Sequence, residues 1–214
     1  MKYADLAKAK QQMLNVTHVA TGMVVEFPAF IKQFSDAYDV QWDTTTVYGR
    51  MDPVKPYQRT GRTIQLSIDV LADSEQMAVK NFKEYSKFIK MLYPVYSAPL
   101  NEVGTSVQSA RTIKAPPLLR IKLMNYIQST KGGGLLGCIS GLKFEPKFDM
   151  GHYSDNTGRI FPTAFDISFQ FTPLHEEILG FKAESADTDG AQEFGSQQYP
   201  YSADDIANIF GGEE

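Results

Sequence analysis

The side chains best suited to chemistry stand together at His175, Glu176 and Glu177. An imidazole beside two carboxylates is a donor set for metal-assisted hydrolysis, with one carboxylate left over as general base. The spacing does not support it. A helical zinc motif sets its second histidine four residues from the first, and the other two histidines here are His18 and His152. Nucleophilic catalysis has no better footing: Cys138 is the single cysteine, no histidine lies near it in sequence, and no GxSxG elbow occurs. Gly132, Gly133, Gly134, Gly137 and Gly141 have the composition of a phosphate cradle, but no Lys-Ser or Lys-Thr pair follows. A hairpin tip accounts for them. Residues 149–156 lack the spacing and terminal glutamate of a calcium loop. The expectation is a protein with no catalytic residues, no cofactor and no metal.

The most strongly patterned stretch, Asp43 to Pro94, shows what the chain is built from. Val40 to Tyr48 is rich in β-branched and aromatic residues, with Val40, Trp42, Thr44, Thr46 and Tyr48 on one face of a predicted strand. Ile64, Leu66, Ile68 and Val70 alternate with Gln65, Ser67 and Asp69, which predicts a half-buried strand. Between the two lies a basic connection holding Arg50, Lys55, Arg59 and Arg62 against the lone acid Asp52. A helix over 74–92 follows, with Asp73 as N-cap and Gln76 at capping-box spacing. Ala78, Phe82, Tyr85, Phe88, Ile89 and Leu92 form its apolar side, and Pro94 stops it. An aromatic stripe of that width is expected to cover a sheet.

Elsewhere, residues 4–14 have the pattern of a short helix, and Gly22–Phe27 and Ala29–Phe34 that of a strand with a bent continuation. Asp36 to Asp39 is expected to turn. Residues 96–115 lack periodicity over about twenty positions, longer than usual for a connection inside a compact domain. Strands are expected at Leu118–Ile127, around Leu142–Phe144 and at Ala164–Thr172, where Phe165, Ile167, Phe169 and Phe171 face inward. Cys138, in an apolar run, is expected to be a small buried hydrophobe.

The chain has 214 residues, 43% of them hydrophobic, and a net charge of −4. That is one domain with appendages, long enough for a sizeable core, and its charge argues against a dedicated nucleic-acid binder. No apolar run approaches the length of a membrane span and no signal-peptide pattern is present, so no membrane partner is expected. One cysteine permits no internal disulfide and fits folding in a reducing compartment. The composition becomes acidic and small from Ala183, and Ala203 to Phe210 then pairs an acidic start with three apolar residues. Open sheet edges, a basic loop and an acidic tail suit a molecule completed by neighbours. The candidate subunit-interface residues are Trp42, Tyr48, Arg50, Arg59 and Arg62 of the strand–loop–strand region, with Ile206, Ile209 and Phe210 of the tail.

The strings VYGRMDPVKPYQRTGRTIQLSIDV, MLYPVY, APPLLRIKLMNYI and FDISFQFTPLHEE, in that order, resemble baseplate-hub proteins of contractile-tailed bacteriophages and related contractile injection systems. These are the tube-initiator or hub-adaptor class that joins the central spike complex to the tail tube. The likeness spans roughly residues 20–180, with YGRMDP and PPLLRIK its sharpest parts. It implies an α+β, tail-tube-like antiparallel β-sandwich or barrel with one main helix packed on the sheet, extended loops and a C-terminal arm. The implied organisation is an N-terminal helix or arm over 1–20, a tube-like domain over 21–182 and a flexible arm over 183–214. It further implies a homo-hexameric ring in the virion baseplate, assembled in the host bacterial cytoplasm. Its partners would be the tail tube protein and the hub and spike proteins, with genomic DNA only as cargo passing through the channel. Gln65, Ser67, Asp69, Asp166, Ser168 and Gln170 are the side chains that would suit a channel wall. No LysM module follows residue 175, which sets the tube initiator ahead of the LysM-bearing adaptor. A tail tube or tail-completion protein is the alternative. A ligand- or peptide-binding module with 49–62 as its mouth is a further one.

Overall fold

A computed structural model describes residues 12–28, 30–97, 112–129, 133–182 and 192–194, with residues 181–182 and 192–194 as backbone only. The fold is α+β, dominated by one seven-stranded antiparallel sheet. Its strands are β1 (Met13–His18), β2 (Val24–Pro28), β3 (Phe30–Trp42), β4 (Tyr57–Leu71), β7 (Leu119–Leu123), β8 (Leu135–Pro146) and β11 (Ala164–Pro173), in the order β2-β1-β7-β8-β11-β4-β3. The helix α1 (Glu75–Met91) lies between β4 and a small ladder of β5 (Val95–Tyr96) with β6 (Ile113–Ala115). Two further short hairpins pair β9 (His152–Ser154) with β10 (Ile160–Pro162), and β12 (Gly180–Lys182) with β13 (Gln192–Phe194).

The sheet is wound back on itself. Strands β2 and β3 occupy its opposite edges, yet Pro28 ends one and Phe30 begins the other. Two Cα steps span at most about 7 Å, so the two opposite edges of the sheet come together at that point. Leu14, Val16, Phe27, Ile64, Ile68, Leu119, Ile121, Leu123, Ile167 and Phe171 are fully buried. Helix α1 covers this core with aromatic contacts. Phe88 packs against Phe27 and Phe169 at ring distances of 6.2 and 5.9 Å, and Tyr85 stacks on Phe144 at 4.4 Å. The expected inward faces of 64–70 and 165–171 are the ones buried.

Several local expectations are corrected. Met13 and Leu14 belong to a strand rather than a helix, since a short apolar run pairs with whichever sheet partner it meets; residues 1–11 lie outside the described residues. Asp36 to Asp39 does not turn but continues β3, and the strand expected to reach Tyr48 ends at Trp42. The strand expected to run to Ile127 ends at Leu123, followed by a turn in which Met124 takes a positive φ of 46°. The N-cap is Ser74, not Asp73, and makes no side-chain capping bond; its hydroxyl donates to Asp73 Oδ1 instead. Residues 152–162 form the β9–β10 hairpin. Its turn is held by Asp155, which accepts from the backbone of Thr157 and Arg159 and from the Thr157 hydroxyl. Residues 192–194, expected to lack structure, form β13.

The glycine-rich stretch is also more regular than expected. Gly137 and Gly141 lie inside β8. A Cβ on Gly137 would stand 2.4 Å from the Thr172 carbonyl oxygen and 2.6 Å from the Phe171 ring, so the close approach of β8 to β11 requires its absence. Gly141 sits at the register shift against Ser168–Gln170 with φ +63°, the left-handed conformation of a bulge residue. Alternation along β8 then puts Cys138 on the outside, exposed rather than buried.

Candidate interaction surfaces

Four adjacent strands, β3-β4-β11-β8, present their outer side as a continuous polar wall. Cross-strand register sets like against like between β4 and β11: Asp69 opposite Asp166, Ser67 opposite Ser168, and Gln65 opposite Gln170. Strand β3 adds Gln33 beside Ser67 and Ser35 beside Gln65, while β8 adds Lys143 beside Ser168 and Ser140 beside Gln170. The sequence places these residues here because each is one step out of phase with the buried Ile64, Leu66, Ile68, Ile167 and Phe169. At one end of the wall Asp166 is buried, and it is matched by Lys32 at 2.5 Å and by Lys147, which also reaches Asp69. Lys32 and Lys147 were not singled out by sequence, because the pairing of their strands is long-range.

Both lateral edges of this wall are open among the described residues. Strand β3 has no neighbour beyond β4, and from Gln33 to Gln41 it runs in unbroken register against β4, between a bulge at each end. On the other side β7 pairs with β8 only from Leu135 to Gly137, so Cys138 to Pro146 has a bare edge. The next residue, Leu118, gives its N–H to the Pro116 carbonyl, and Pro117 and Pro116 beyond it have no N–H to extend the ladder.

The β3–β4 hairpin outgrows the wall. Strand β11 pairs with β4 only as far as Ile64, so Tyr57–Thr63 and its partner residues on β3 form a projecting arm. Its tip exposes Trp42 and Tyr57, edge to face at 5.5 Å, and Tyr48 and Met51 are wholly exposed. Arg50 is exposed in the connecting loop. Arg59 is exposed as well and donates to Gln41 Oε1 across the ladder. Trp42, Tyr48, Arg50 and Arg59 are therefore brought to one accessible arm, and Tyr57 and Met51 join them.

Arg62 is not part of that surface. Its side chain is 1% exposed and makes a two-pronged pair with Asp36, itself 3% exposed, with its guanidinium also 5.4 Å from the Tyr38 ring. Expected among the exposed loop cations, it lies instead in the interior at the root of the arm. In sequence Arg62 is one more loop cation, but β4 carries it on the same face as Ile64, where only a buried carboxylate satisfies it. Ile206, Ile209 and Phe210 lie outside the described residues.

His175, Glu176 and Glu177 line a cleft of about 430 Å³ with Arg120, Ser129 and Leu135. Glu176 is engaged by Arg120 in a bidentate pair at 2.6 and 2.7 Å, which raises the Arg120 pKa further. Burial, and then the charge of Arg62, lower the His175 pKa. No group of three His, Cys, Asp or Glu side chains suited to a metal ion occurs among the described residues. No helix among them is long and apolar enough to cross a membrane. No protein-family model and no curated protein matches the chain, so its wall and its arm are the features from which a function must be argued.

Proposed function

We propose that this chain is a structural subunit of a contractile-tail baseplate, a tube initiator whose copies join edge to edge into a ring, taken as a hexamer. The observation that carries this reading is the polar four-stranded wall with a bare edge on each side. A strand edge with unpaired N–H and C=O groups is a template for another strand, and isolated proteins normally blunt it with prolines, bulges or short length. Here nine residues of β3 are left in flat register. Pairing β3 of one copy with the bare stretch of β8 in the next is a heterologous contact, which closes into a ring where the rotation between copies divides the full circle. The wall then becomes a continuous inner barrel.

The side chains fit that use. Ser and Gln dominate the middle of the wall, and its facing acids Asp69 and Asp166 are matched by Lys32 and Lys147. A surface without a run of unpaired cations gives a passing polyanion little to hold, because phosphate affinity is set by the cations it meets. The resemblance of the YGRMDP and PPLLRIK segments to baseplate-hub proteins points to the same role, in the virion, between hub or spike and the tail tube. The function is positional, with no bond made or broken.

Negative-stain imaging of the protein, alone and with its tail neighbours, tests the proposal. Rings with a central channel are expected. A chain that stays monomeric at every concentration, with amides of residues 33–41 exchanging freely in the presence of those neighbours, contradicts it.

A further inference from the structure

The arm tip gathers several large exposed side chains on one projecting hairpin. Trp42 and Tyr57 are each more than half exposed, Tyr48 and Met51 completely so, and the loop between them adds Arg50 and Lys55. Scattered apolar residues on a surface are ordinary, but an aromatic cluster with a basic rim on a projecting hairpin has the composition of a docking site.

A complementary sequence is carried by the same chain. Residues 183–214 contain eight acidic side chains and no Lys or Arg. Within them Asp204 and Asp205 immediately precede Ile206, Ile209 and Phe210, whose spacing of three and four puts three apolar groups on one side of a helical turn. The tether also fits. Strand β11 pairs Phe171 with Ile64 beside the root of the arm, so the chain leaves the sheet there. The arm rises about 23 Å from Ile64 to Tyr57 at strand spacing. The β12–β13 pairing returns the chain from Gly180 to Phe194, and the 15 residues 174–180 and 195–202 on either side of it have a contour of about 50 Å, more than the arm's rise. A site within reach of its own tether meets the segment at an effective concentration on the order of millimolar, far above that of a second chain in dilute solution.

We infer that Ala203–Phe210 seats on the arm tip of its own chain, with Ile206, Ile209 and Phe210 against Trp42 and Tyr57, and Asp204 and Asp205 toward Arg50 and Lys55. The contact covers the arm until a partner displaces it, and it does not depend on which partner that is. Trp42 is the only tryptophan, so its fluorescence reports the contact directly. In the full chain its emission is expected to be blue-shifted, and less quenched by acrylamide, than in the triple variant Ile206→Ala, Ile209→Ala, Phe210→Ala, by the same amount at every protein concentration. Asp204→Lys with Asp205→Lys is expected to match the triple variant, and adding Arg50→Glu with Lys55→Glu to restore the wild-type signal. All these positions lie on the exposed tip loop or the tail, so the fold is not at stake. Identical spectra and quenching for the full chain and the triple variant overturn the inference. A difference that appears only as chain concentration rises also overturns it, and assigns the tail to a second copy instead.

Discussion

Asp69 on β4 and Asp166 on β11 stand directly opposite one another, and Lys147 reaches both carboxylates, at 2.8 and 3.0 Å. Like charges facing each other across a ladder oppose its formation. The lysine turns the pair into a clamp at one end of the polar wall, joining the turn after β8 to both central strands. Replacing Lys147 with Met is expected to destabilise the protein by about 1–2 kcal/mol, and adding Asp69→Asn to recover part of that loss. Urea midpoints of the single and double variants check it; equal loss in both would show that the carboxylate repulsion is not felt.

The buried pair at the root of the arm is the more sensitive site. Arg62→Met leaves the Asp36 carboxylate in the core without its guanidinium, at an expected cost of roughly 3–5 kcal/mol. The double variant Asp36→Leu, Arg62→Met is expected to lose much less than the sum of the two single changes. Denaturant unfolding of the four proteins gives the coupling. If the single variant loses under 1 kcal/mol, in the range of an exposed pair, the burial of this contact is contradicted.

Gly137→Ala is expected to cost more than about 2 kcal/mol, because its Cβ would meet backbone and a ring edge that cannot both move. Gly141→Ala is expected to cost nearer 1 kcal/mol, since only its left-handed backbone resists and nothing lies within 4 Å. Thermal melts of the two variants separate a steric demand from a conformational one. Reversal of their order would contradict the register of β8 against β11.

How much of this the sequence discloses depends on how clean each buried face is. Residues 64–70 and 165–171 alternate strictly because one side lies in the core and the other forms the polar wall. Strand β3 does not alternate legibly, because it is an edge strand and then an arm, exposed for most of its length. Its Asp36 and Asp39 look like turn residues until the hairpin register brings Arg62 opposite Tyr38 and within reach of Asp36. For the same reason Arg62 passes for a surface cation, while Arg59, three residues away, is one. The aromatic stripe of the helix was plain, its cap was not: Asp73 and Ser74 both have capping chemistry, and only the backbone decides between them. The wall's bare edges come from where pairings stop, at Gly137 and Pro117, and no local pattern announces that.

Protonation offers a separate check on two loops. The Thr157 hydroxyl, then the Arg159 and Thr157 amides, hold the Asp155 carboxyl below its ordinary pKa. Its contribution to the β9–β10 turn is therefore complete above the usual carboxylate value of about 4, and lost as pH falls through the lower folded value. His175 acts in the same pH direction for the opposite chemical reason. Its folded pKa is lowered, so below about 6.5 the unfolded chain takes up the proton first and stability falls with pH there. Hydrogen exchange at residues 152–162 and a urea series across pH 5–8 test the two. His175→Gln is expected to flatten the second trend, and an unchanged slope in that variant would contradict it.

The proposed assembly is tested most directly by a cryo-EM reconstruction of the ring formed with its tail neighbours. The predicted density shows β3 of each copy, Gln33–Gln41, hydrogen-bonded to Cys138–Pro146 of the next, with Gln65, Ser67, Ser168 and Gln170 facing a central channel. Copies that touch through other surfaces, leaving both strand edges open to solvent, would contradict it.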